Sequence, residues 1–371
     1  MSELVAIGRK APTLCAYCPK MCRFACPIAE AESRETVTPW GKMSVVYWGQ
    51  RGDPVAASKD AHRVLEACTG CGACAEHCAH GNPVAETLFA ARGAVHTARG
   101  LRLRERFRAT GHGRHRDPLP ALHRLESSAT ARIRYFPGCT RLLQQPSRCA
   151  HDIEALSLAL GEKVPAMSLP RGPACCGYPL HADGQHDILT EHLRIFEGQV
   201  HPGGTLVTPD PGCAYVLDEV RRQRLGPRSD VRWPTVTSVA EFLGGHGASF
   251  AGRSAGLEVR YHDPCYLGRR RGQYSGPRQL LTWATGREPL EFVFSHAHAD
   301  CSGAGGLYPT SDLEGALRVA ARRAGGTDGS PEPNAGVPVV TACPSAQRLL
   351  QRAGIVVHDL VDVLLGRSGD E

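Results

Sequence analysis

The sequence predicts an α+β multidomain protein, with a cysteine-dense opening segment followed by a duplicated α/β unit. Three observations carry that expectation. Eight cysteines fall in two runs of four between Cys15 and Cys78, residues beyond about 132 alternate strand-like and helix-like runs, and that second region repeats itself. A chain of 371 residues also exceeds what one apolar core usually organises, so two or three domains are expected.

The cysteine runs of the opening segment are Cys15-x2-Cys18-x3-Cys22-x3-Cys26-Pro27 and Cys68-x2-Cys71-x2-Cys74-x3-Cys78. Three thiolates at two- or three-residue intervals can wrap one face of an iron–sulfur cube, while the fourth, after a turn, points to a different cube. In two-cluster ferredoxins the fourth cysteine of each run therefore ligates the other cluster. The expectation is two [4Fe–4S] clusters, one on Cys15, Cys18, Cys22 and Cys78, the other on Cys68, Cys71, Cys74 and Cys26. The first run departs by its longer gap before Cys22, and the second lacks a proline after Cys78. Zinc is the competing reading of paired CxxC, but zinc sites favour two well-separated pairs. Gly70 and Gly72 are expected to let backbone approach the sulfides. Trp40, Tyr47 and Trp48, between the runs, are expected to pack rather than conduct.

Compartment decides what 16 cysteines mean. The start MSELVAIGRKAPTLC has no apolar stretch of signal-peptide length, and no later stretch approaches the roughly 20 apolar residues of a membrane helix. A cytoplasmic chain, not itself transmembrane though able to sit beside the membrane through a partner, is the expectation. A net charge of +6 is too mild to argue for nucleic acid.

Domain bounds follow from composition: 1–90 for the cysteine-dense segment, 91–131 for an Arg-rich connector, 132–245 for the first repeat and 257–366 for the second. The connector, with ARGLRLRERFR and GHGRHRD, reads as a solvated positive face or a grip for an acidic partner or anionic lipid. The repeat is legible in offsets. Ile133-Arg-Tyr-Phe-Pro-Gly-Cys139 matches Val259-Arg-Tyr-His-Asp-Pro-Cys265, and the next cysteines, Cys175 and Cys301, keep the offset of 126 (265 − 139 and 301 − 175). A third station pairs Leu206-Val-Thr-Pro-Asp210-Pro-Gly-Cys213 with Val339-Val-Thr-Ala-Cys343-Pro-Ser-Ala346.

Each station is a strand-like run ending at a thiol and entering a helical pattern, as at 214–225 and 345–353. Open α/β sheets bind ligands outside the carboxyl ends of their strands, where these cysteines fall. Residues 244–256 read as the linker between repeats, 324–336 as a surface loop, and the end from Arg367 as frayed.

At Cys139…Cys175-Cys176-Gly177…Cys213 and His262-Asp-Pro-Cys265-Tyr-Leu-Gly-Arg269 the chain resembles the cysteine-rich CCG domains of heterodisulfide reductase subunits. It is similar in the same way to the iron–sulfur subunits of glycolate, lactate and anaerobic glycerol-3-phosphate oxidation systems. The resemblance implies a helical two-cluster ferredoxin domain at the start and a duplicated α/β CCG domain after it. In the family's full pattern each repeat supplies five thiols, which together hold a non-cubane [4Fe–4S] cluster.

Here the pattern is partial. The first repeat has Cys139, Cys175, Cys176 and Cys213, with Asp210 in the remaining place; the second has Cys265, Cys301 and Cys343, with Ser302 and Ala346 in the other two. Four thiolates suffice for a third cluster in the first repeat, a carboxylate being an acceptable harder ligand. Three leave the second open between a fourth cluster, with Ser302 or Asp263 on an exposed iron, and a site that has lost its metal. Cys149 reads as a core thiol.

Other candidates are weaker. Arg269-Arg270-Arg271 reads equally as a basic surface or an anion-attracting spot. Of His262, His296 and His298, only His262 neighbours a candidate thiol, and a hydrogen-bond role is expected of it. Gly303-Ala-Gly-Gly306 follows a cysteine rather than a strand, so it is a poor nucleotide motif.

The function implied is an iron–sulfur electron-transfer subunit of an oxidoreductase complex. It would work with a flavoprotein dehydrogenase or another redox subunit, and with a quinone or disulfide as further acceptor, since no flavin or nicotinamide site is evident. The alternative is a disulfide or heterodisulfide reductase with its chemistry at a cluster in the duplicated domain.

Overall fold

The described residues between 7 and 109 form helices and turns, for reasons visible in the local sequence. The computed structural model describes residues 7–20, 22–109, 132–162, 164, 175–200, 202–226, 233–325 and 336–367. Proline at the first helical position, where its missing N–H costs nothing, starts the helices Pro27–Glu32 and Pro39–Gly49. Thr38 and Ser58 cap Pro39–Gly49 and Lys59–Glu66 by accepting from Gly41 N and Ala61 N. Met43, Val46, Leu65, Leu88 and Ala91 from these helices and from Val84–Ala94 close a core around Cys15.

Each repeat is a three-stranded parallel sheet. The first has order β1 (Ile133–Tyr135), β2 (Thr205–Thr208), β3 (Thr235–Ser238), and the second β4 (Arg260–His262), β5 (Val339–Thr341), β6 (Val357–Asp359). Register pairs Ile133 with Thr205, Thr205 with Thr235, Arg260 with Val339 and Val339 with Val357. The predicted helices form over 211–225 and Pro344–Arg352, beginning at Pro211 and Pro344, with Asp210 and Cys343 as the equivalent N-caps.

The first repeat has a core of its own around Phe136, Leu189, Phe196, Leu206 and Leu217, but on the other side the two repeats share one interior. Tyr135, Leu156, Val207 and Leu243 from the first join Tyr261, Leu280, Val340 and Leu364 from the second in one core. Sheets of three short strands have little apolar face of their own, and sharing supplies the burial that neither reaches alone. The stretch expected to link them is part of this packing: Phe250 is fully buried in the 3-10 turn Gly247–Phe250, and Ser254 Oγ donates to Val363 O.

The opening segment packs on the second repeat. Ile28, Val37 and Val64 meet Phe292, Tyr308, Val319 and Leu349 in a single buried cluster. The first part of the Arg-rich connector is helix Ala98–Ala109, and its Arg99 is buried, as is Arg92 just before it, so neither belongs to a solvated face. The histidine-rich part of the connector and most of the 324–336 loop lie outside the described residues. Among the described residues no helix is long and apolar enough to cross a membrane.

Candidate metal centres

The opening cysteines gather in two groups, each taking three members from one run and one from the other. Cys15 lies in the last turn of the helix Lys10–Tyr17, Cys18 follows as its C-cap, and Cys22 begins the next turn. Cys18, Cys22 and Cys78 are the cysteines that act on Cys15. Burial, partly offset by a hydrogen bond from Asn82, pushes the Cys15 thiol up to about 11. Asn82 donates from Nδ2 to Cys15 Sγ at 3.0 Å and from its backbone N to Cys78 Sγ at 3.5 Å.

The second group comprises Cys26, Cys68, Cys71 and Cys74, the first of them capping Pro27–Glu32. Lys42, fully buried, donates from Nζ to Cys26 Sγ at 3.3 Å. Burial opposes its charge, but Cys26 and Cys68 outweigh that and hold the ammonium above its usual range. Gly70 N donates to Cys68 Sγ at 3.4 Å. Gly70 is required for two reasons: φ is +72°, and a Cβ would lie 2.5 Å from the Phe89 ring.

In the first repeat Cys139, Cys175, Cys176 and Cys213 lie together, each acting on the next in that order. Cys139 follows β1 and Cys213 lies in the helix after β2, both at carboxyl ends of strands as expected. Gly138 precedes Cys139 at φ +68°, with Cys213 Sγ 3.2 Å from where a Cβ would stand. Cys176 pulls the Cys213 thiol down, but burial and the charges of Asp210, Cys139 and Cys175 prevail and push it up to about 12. Four thiols crowded out of water are poor thiolates without a cation, so the donor set suits a soft, highly charged metal group.

The second repeat repeats the local geometry. Gly177 N donates to Cys175 Sγ at 3.4 Å and Gly303 N to Cys301 Sγ at 3.3 Å, each glycine at positive φ. Cys265 and Cys301 pack together with Cys71 of the opening segment. The neighbouring Cys301 thiol and the Arg269 guanidinium, acting against burial, hold the Cys71 thiol well below the usual range. Thr69 Oγ1 accepts from Cys301 Sγ at 3.4 Å.

Both repeats open on one cavity of about 260 Å³. Cys139, Cys176 and Cys213 line it from one side and Cys265, Cys301 and Cys343 from the other, with Tyr178 and Tyr266 beside them. Asp210 lines it too, with both carboxylate oxygens engaged: Gly212 N donates to one at 2.8 Å and Ser345 Oγ to the other at 3.0 Å. His262 is buried, its Nδ1 3.1 Å from Thr341 Oγ1, and its Nε2 has no hydrogen-bond partner among the described residues. This orphaned nitrogen on a thiol-lined cavity is a further sign that the site is built for an occupant.

Two sequence expectations change. Asp263 is turned away from the cavity, because Arg278 donates to both its oxygens at 2.8 Å and His296 N to one of them; Ser302 does line it. The three successive arginines are not one surface: Arg269 donates to Cys71 O at 2.7 Å, Arg270 pairs with Glu86, and Arg271 pairs with Asp218 and Glu241 of the first repeat. Gly303-Ala-Gly-Gly306 is a close-approach loop, since a Cβ on Gly305 would stand 2.4 Å from Thr69 O and one on Gly306 2.2 Å from Cys68 O. Cys149 is a buried core residue, as expected.

Sequence reasoning missed Lys42 and Arg92. Arg92 is fully buried and donates to five backbone carbonyls, those of Leu65, Glu66, Cys68, Ala182 and Gly306, so one guanidinium ties the opening segment to both repeats. The only signal for it was a cation in the otherwise apolar second half of its helix, FAARGA.

A duplicated parallel sheet with thiols at its carboxyl ends defines a class. Residues 133–218 and 259–347 each match the CCG family, described as a cysteine-rich domain, so the chain carries two copies of that domain. Its relatives include a subunit of the fumarate reductase (CoM/CoB) of Methanothermobacter marburgensis, 26% identical over 77% of this chain and 57% of the relative. A subunit of the dihydromethanophenazine:CoB–CoM heterodisulfide reductase of Methanosarcina acetivorans is 28% identical over 62% of this chain and 58% of the relative. A probable membrane-anchored ferredoxin of Chromohalobacter salexigens is 38% identical over 25% of this chain and 13% of the relative. The chain thus spans less than two thirds of the length of each of these relatives.

Proposed function

We propose that this chain is an iron–sulfur electron-transfer subunit of a reductase or dehydrogenase complex. The observation that carries the reading is the continuity of the thiols: two quartets in the opening segment, then the second repeat, then the cavity shared with the first. Cys15, Cys18, Cys22 and Cys78 hold one [4Fe–4S] cluster, Cys26, Cys68, Cys71 and Cys74 a second, and Cys139, Cys175, Cys176 and Cys213 a third. Such clusters, when bound, take up and release single electrons. The chain's own residues bury the thiols, exclude water and aim N–H donors from Gly70, Asn82 and Gly177 at sulfur. The similarity to named subunits of fumarate and heterodisulfide reductases supports a redox partner, here a flavoprotein dehydrogenase or another redox subunit, with a quinone or disulfide as further acceptor.

A second reading is favoured by the cavity itself, whose thiol-lined walls suit reductive cleavage of a disulfide, two electrons and two protons giving two thiols. Anaerobic iron and sulfide counts with EPR test the first reading, and protein without inorganic sulfide rejects it. Turnover of disulfides by the isolated chain with an artificial electron donor would select the second.

A further inference from the structure

The second repeat keeps three thiols, yet a fourth stands against them from another part of the chain. Cys71 packs on Cys301 and Cys265, and no other opening cysteine joins that cluster among the described residues. The contact is enforced from several sides. Arg269, four residues beyond Cys265, donates to Cys71 O at 2.7 Å, and its other bonds go to Ala297 O and Ala299 O in the segment leading to Cys301. Thr69, two residues before Cys71, accepts from Cys301. Gly305 and Gly306 carry no Cβ where the Cys68–Thr69 backbone presses on them, and Arg92 donates at once to Cys68 O and Gly306 O. Cys71 nevertheless remains a neighbour of Cys68 and Cys74 in its own quartet.

We infer that Cys71 is a shared ligand: its sulfur belongs to the second opening quartet and also completes, with Cys265, Cys301 and Cys343, a fourth metal centre in the second repeat. A thiolate sulfur has lone pairs for two metals, and sharing makes up for the thiols replaced by Ser302 and Ala346. The chain of centres then enters the duplicated domain at the second repeat, and the first repeat lies beyond the cavity. The inference rests on the proposed iron–sulfur reading.

The test compares full-length Cys71→Ala, Cys74→Ala and Cys301→Ala proteins, purified anaerobically, by iron and sulfide content and by EPR of oxidised and reduced samples. Cys74→Ala should alter the signal of the second opening cluster and leave the second-repeat signal in place. Cys71→Ala should remove both. Cys301→Ala should remove the second-repeat signal and shift the g values of the opening cluster, whose Cys71 sulfur no longer bridges to a second metal. Equal iron, sulfide and EPR losses in Cys71→Ala and Cys74→Ala overturn the inference. Circular dichroism of the same samples reports folding; if Cys71→Ala does not fold, an unchanged opening-cluster signal in Cys301→Ala overturns it instead. Wild-type protein with sulfide for three clusters but no second-repeat iron sinks this inference alone, whereas a complete absence of sulfide sinks the electron-carrier reading beneath it.

Discussion

Lys42 places an ammonium where three thiols of one quartet converge, and its effect has a definite sign. A buried cation favours the more negative, reduced state of whatever those thiols hold, so Lys42→Met should lower that centre's potential. A lost interaction of about 1.4 kcal/mol corresponds to about 59 mV for one electron, and EPR-monitored redox titration should find a fall of that order. His181 makes a pH prediction of its own. Its ring lies against Phe89, Tyr178 and Tyr215, and burial, with the charges of His186, Arg224 and Arg270, pushes it down to about 3. Between pH 6.5 and 3 the unfolded chain binds a proton that the native state refuses. This contribution is fully present above about pH 6.5 and is lost as pH falls, at up to about 1.4 kcal/mol per unit. Urea melts from pH 7.5 to 5 should show a shallower decline for His181→Phe than for wild type. Neither residue was legible in the sequence, because a lysine or histidine in a helical run looks the same whether it faces solvent or a sulfur.

At the level of elements, the strands and their terminal cysteines were readable because β-rich runs ending at a thiol recur at a fixed offset. The docking of elements was not readable. Arg92 and Arg99 sat in what looked like a basic connector, yet Arg99 donates to buried Asp183 from Nε at 2.8 Å and Nη2 at 2.6 Å, and to Ser311 from Nη1. Composition reports charge and says nothing of which carbonyls a guanidinium will find. Arg92→Ala should cost about 3 kcal/mol or more, since each buried carbonyl left unpaired costs about 1–3 kcal/mol. Thermal denaturation should show it, and Arg92→Lys should recover little because one ammonium cannot reach five acceptors. Gly306→Ala should wedge the Cys68 loop from the second repeat, a Cβ being allowed only 2.2 Å from Cys68 O. Faster amide exchange over residues 68–72 would report the separation, and unchanged exchange would count against it.

For the whole molecule, the sequence revealed duplication but not that the halves share an interior. Apolar runs declare that they are buried without naming what covers them. The thiol groups lie at joints between parts, so removing metal should loosen the joints before the common core. Treatment with ferricyanide and a chelator should bleach the visible absorption and lower the first melting transition, while the near-ultraviolet dichroism of Tyr135 and Tyr261 in the common core persists to higher temperature. A single transition at the wild-type temperature after complete metal removal would refute this.

Asp210 and Cys343 occupy the same cap in the two repeats, and Cys213 and Ala346 the same later position, so each half has kept the thiol that the other gave up. Once copies diverge in this complementary way, neither can serve as a free-standing cassette. Excised and expressed alone, either would present an uncovered apolar face, the second with an incomplete donor set as well, and recombination that separated them would yield two broken parts where one working pair had been.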